Sequence, residues 1–100
     1  MSIFSDVLSR LDSVQNPVAQ VIQKGKDYRV LVLGLKKGMV MKDHTAAMPA
    51  ILIVLEGKVM YRAGEETICL TKYGQTDIPT DLIHSVEALE DSLCILCQGK

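Results

Sequence analysis

The chain has little with which to do acid–base, metal or nucleic-acid chemistry. It carries only two histidines, His44 and His84. Lysine and arginine number 11 against 12 aspartate and glutamate, for a formal net charge of −1, and no block of basic residues stands out. Neither nucleic acid nor an anionic membrane surface is expected as a partner. The three cysteines, Cys69, Cys94 and Cys97, are an odd number and make a poor disulfide framework. The longest purely apolar run, AILIVL from Ala50 to Leu55, is far too short to span a bilayer. The opening MSIFSDVLSRLD lacks a basic segment and carries Asp6 within its apolar stretch, so it does not read as a secretory signal. A reduced, cytoplasmic, soluble protein is the expectation. There is no glycine-rich phosphate loop and no glycine-flanked serine to form a nucleophile elbow. Ser85 adjoins His84, but adjacent strand residues point apart.

What is present is a globular composition, 48% hydrophobic and 23% charged. One hundred residues fit a single domain with one core. Ile3, Phe4, Val7, Leu8, Leu11 and Val14 recur at spacings of three and four, which predicts a helix with one apolar stripe. Ser2 can cap its start and Asn16-Pro17 ends it. This divides the domain into an N-terminal helical segment, residues 1–17, and a β-rich body, residues 18–100. Strands are predicted at Val18–Gln23, Tyr28–Leu35, Met39–Ala46, Ala50–Glu56, Lys58–Ala63, Glu66–Thr71, Leu82–Leu89 and Ser92–Gln98, with a looser section between Tyr73 and Pro79. The strand YRVLVLGL is almost continuously apolar, as expected of a strand covered on both faces. Short strands at this spacing with glycine turns predict a sandwich or barrel.

Gly38, His44 and Gly57 carry a more specific signal. Gly38 is followed by five residues and His44; Ala46 comes two later, Ala50 four after that, and Gly57 closes the stretch with the phrase VLEG. This frame resembles the first motif of the cupins, in which a second histidine and a glutamate occupy the positions held here by Ala46 and Ala50. The stretch from Gly74 to Ala88 resembles their second motif through Pro79 and His84. Asp81 replaces its glycine, Ala88 replaces its asparagine, and Gly74 lies one residue too close to Pro79. The resemblance covers about the last two-thirds of the chain. It implies an all-β jelly-roll barrel with a short N-terminal helix, and a homodimer. The helix stripe is then expected to lie over a barrel mouth or on another subunit.

The resemblance also implies a pocket with His44 and His84 as metal ligands or as polar handles. Two imidazoles leave most of a metal's coordination shell to water, so at most weak binding of a divalent transition metal is expected, with no resident cofactor. The leading expectation is a small-molecule binder whose ligand touches His44, His84, Met48 and Leu52. One alternative is a metal-dependent cupin enzyme, an oxygenase or isomerase, with a reduced ligand set. A second is a dimeric regulatory or interaction module. Glu87 has the wrong strand parity to join His84, and Cys94 and Cys97 face opposite ways on one strand, so the three cysteines are expected to be small buried hydrophobes.

Overall fold

The computed structural model describes residues 2–44 and 47–99, and the side chains of residues 43 and 44 are outside that description. Helix α1 spans Ile3–Arg10 and tightens into a 3-10 turn at Leu11–Ser13. The Ser2 hydroxyl accepts the Ser5 amide at 3.1 Å, satisfying one of the donors a helix start leaves orphaned. The strands are β1 (Val18–Lys24), β2 (Tyr28–Leu35), β3 (Val40–His44), β4 (Ala50–Glu56), β5 (Lys58–Ala63), β6 (Glu66–Thr71), β7 (Gln75–Ile78), β8 (His84–Ala88) and β9 (Ser92–Gly99). They form two antiparallel sheets, one in the order β1-β2-β9-β4-β7 and the other β3-β8-β5-β6. β9 inserts between β2 and β4, and β8 between β3 and β5. Strands distant in sequence thus pair in space, which is the jelly-roll arrangement.

Strand alternation decides what lies between the sheets. Leu31, Leu33 and Leu35 of β2, Leu52 and Val54 of β4, Val59 and Tyr61 of β5, Val86 of β8 and Cys94 of β9 share one core. The opposite parity of β2 serves a second, smaller core. There Val7 and Leu11 of the helix pack on Val18, Val32 and Leu93. Gly34 permits this approach: a Cβ at that position would lie 2.7 Å from a Val7 methyl and 3.0 Å from one of Leu11. From Leu31 to Leu35 the apolar run of β2 is therefore covered on both faces, as its sequence predicts, whereas Tyr28 is exposed. The helix itself is a correction. It lies neither over a mouth nor only against another subunit, because Val7 is fully buried and Leu11 4% exposed on the outside of this chain's own sheet.

Gly57 marks the turn from β4 to β5. Its φ is +93°, and a Cβ there would collide with the Ser92 hydroxyl and the Asp91 carbonyl. The expectation for the cysteines needs correcting too. Cys94 is buried and Cys97 half-buried, but Cys69 is exposed, because β6 is an edge strand and Cys69 sits on its outward parity. Burial pushes the Cys94 thiol up to about 12.

Candidate functional site

One end of the barrel opens into a cavity of about 370 Å³. Each contributing strand delivers an inward-parity residue near its end: Ala19 from β1, Arg29 from β2, Met41 from β3, Ala50 from β4, Ile78 from β7, His84 from β8 and Gln98 from β9. Leu31, Leu33 and Leu96 form its apolar floor, and Ala47 and Met48 also line it. No carboxylate and no thiol is among these lining residues.

His84 is the best-defined polar group. It is 4% exposed and its Nδ1 lies 3.3 Å from the Leu82 carbonyl. A carbonyl only accepts, so Nδ1–H donates, and in the neutral ring Nε2 is the acceptor nitrogen. The bend that presents Leu82 runs through Asp81, whose φ is +64°. Asp81 is the residue that replaces the motif glycine, and aspartate is among the side chains that tolerate this left-handed conformation. The Tyr61 ring lies beside His84, centroid to centroid 6.0 Å at a tilt of 34°. Burial, with a contribution from Glu66, holds the Tyr61 phenol above its ordinary value.

The backbone register brings the two histidines to facing positions. His44 of β3 pairs with His84 of β8, while Met41 pairs with Val86. Three steps along β3 thus match two along β8, so β3 carries one extra residue, a β-bulge. Without it, residue 44 would not fall opposite His84. Of the other residues expected at the site, Met48 lines the cavity. Leu52 is 1% exposed and lies deeper, in the core. Ala50 is buried and lines the cavity; Ala46 lies outside the described residues. Glu87 is on the outward parity of β8 and pairs with Arg62 at 3.0 Å.

Arg29 and Gln98 are absent from the sequence expectations. They are cross-strand partners on β2 and β9, and the Arg29 Nε donates to the Gln98 side-chain oxygen at 2.9 Å. The signal was available. Arg29 shares parity with Leu31, Leu33 and Leu35, so it is the charged first member of an inward-facing series.

A four-ligand metal shell of the kind the cupin motif implies does not fit the described residues. His84 is the one described imidazole on the cavity wall, and Ala50 presents a methyl where the motif has a carboxylate. Among the described residues no group of three or more His, Cys, Asp or Glu converges.

Comparison with solved structures places this double-sheet barrel in a known class. KdgF from a Halomonas species superposes with a TM-score of 0.79 at 22% identity, covering 89% of this chain and 85% of its own. A cupin superfamily protein from Desulfitobacterium hafniense gives 0.80 at 9% identity, covering 87% and 82%. A cupin-2 domain containing protein from Shewanella frigidimarina gives 0.76 at 21%, covering 100% and 95%. This chain has the cupin fold. No protein-family model matches it, and no curated protein does. Among the described residues no helix is long and apolar enough to cross a membrane.

Proposed function

We propose that this cupin-fold protein binds a small molecule in the cavity at the open end of its barrel, with His84 and His44 as polar handles and without a complete transition-metal shell. The cavity itself carries the reading. Its volume of about 370 Å³ is in the range of metabolite sites, and its wall is mostly apolar with a few convergent polar groups. The facing register of His44 and His84 supports two imidazoles converging on that space. Met41 and Met48 supply unbranched, polarizable side chains that adapt to an irregular ligand.

Native mass spectrometry of gently purified protein tests this. An adduct of metabolite mass is expected, and Ala19→Trp, which fills the cavity from the β1 side, is expected to remove it. A mass equal to the bare chain, or to the chain plus a transition metal, contradicts the reading. We propose a homodimer as well. Its support is the half of the five-stranded sheet that α1 leaves open, where Val30, Ile51 and Cys97 line an apolar groove. A monomer mass by light scattering at micromolar concentration would remove that part.

A further inference from the structure

We infer that the cavity's ligand is a small carboxylate with an apolar body, and that Arg29 is the residue that selects the carboxylate; this rests on the cavity-binding reading above. The chain has three arginines. Arg10 pairs with Asp6 at 3.6 Å and Arg62 with Glu87 at 3.0 Å. Arg29 differs: its hydrogen-bond partner is the neutral amide of Gln98, and among the described residues no carboxylate lies within ion-pair distance of it.

The geometry suits anion capture. Gln98 holds the guanidinium through Nε, which fixes the plane of the fork and leaves the two terminal nitrogens for another acceptor. A planar fork oriented in this way matches a carboxylate with two parallel charge-assisted hydrogen bonds. Among the described residues, no Asp or Glu lines the cavity to repel an anion or to satisfy the arginine from within. Behind Arg29 the inward series continues as Leu31 and Leu33, with Leu96 and Ile78 nearby, so a ligand anchored by its carboxylate lays its remaining atoms on apolar side chains. His84 borders the same space.

A matched pair of probes tests the inference. Hexanoate and its neutral isostere hexanamide are titrated into the full chain while the methyl signals of Met41 and Met48 are followed by NMR. Hexanoate is expected to bind at least tenfold more tightly than hexanamide, and Arg29→Gln to erase that preference. Arg29 is exposed, so this variant is expected to fold; Arg29→Lys should retain part of the preference, because the charge persists while the fork is lost. Equal affinity for the two probes, or a carboxylate preference that survives in Arg29→Gln, overturns the carboxylate inference and leaves the cavity reading standing. Methyl signals that respond to neither probe at tens of millimolar overturn the cavity reading, and this inference with it.

Discussion

Replacing Ala50 by glutamate and Ala46 by histidine should convert this cavity into a metal site, at a measurable cost to the metal-free protein. Ala50 is 6% exposed on the cavity wall. A carboxylate placed there without a partner is desolvated, which costs about 2–4 kcal/mol. For a domain of this size each kcal/mol moves Tm by about 4–8 °C. The metal-free double variant should therefore melt roughly 8–30 °C below wild type. With His44 and His84 the two new side chains complete four ligands, and the enclosing strands lower the ordering cost. Affinity for nickel or zinc should rise on the order of a thousandfold, ~4 kcal/mol. Metal at a thousand times its Kd should then restore about 4 kcal/mol of stability, which offsets the loss. Isothermal titration after chelator treatment, with melting curves plus and minus metal, reads both effects. An unchanged affinity would show that positions 46 and 50 do not face the histidines. Tight stoichiometric metal in the wild type would show that another group completes the shell.

Other predictions concern the frame that holds the cavity. Gly57→Ala forces a side chain into φ +93° and against Ser92 and Asp91, and should lower unfolding free energy in urea by about 2–3 kcal/mol; a change below about 0.5 kcal/mol would refute the turn geometry. Leu11→Ala, at a buried helix position, should cost about 2–4 kcal/mol in the same assay, whereas Leu8→Ala, at 43% exposure, should stay near 0.5 kcal/mol or less. Equal effects would mean that the helix packs on another face. The Cys94 thiol ionises near 9 when unfolded and is pushed up to about 12 when folded. The folded state therefore holds its proton more tightly, so this contribution to stability is complete below pH 9 and is lost as pH rises toward 12. The wild-type Tm should fall more steeply over that window than that of Cys94→Ala, and parallel slopes would contradict the burial.

Much of the frame was legible because strand alternation and glycine turns are local signals. β2, β4, β5 and β6 occupy the stretches their patterns predict. β7 is not legible as a strand. QTDI is short and mostly polar, and only Ile78 of its four residues is buried, because it is an edge strand paired to β4 alone. The helix was legible as a helix, but its seat was not: Gly34 is the residue that admits it, and a lone glycine in a strand does not say what approaches. The bulge in β3 was hidden for a related reason. Nothing in VMKDH shows that one residue is extra; that depends on the partner strand β8. Arg29 is hard to recognise from the sequence because Val30 and Val32 fill the outward positions of β2. Val32 lies under the helix and Val30 lines the open groove beside it, and together they blur the alternation that would mark Arg29 as inward.

We propose that the paired imidazoles serve a ligand cavity rather than a resident metal centre. A crystal structure of the wild-type protein, with anomalous data collected above the zinc edge, distinguishes the two. The expected result is His44 and His84 on one cavity wall, organic density between them and Arg29, and no anomalous peak. A metal peak at about 2.0–2.1 Å from both imidazoles, or the two rings on opposite faces of the β3–β8 sheet, would contradict it.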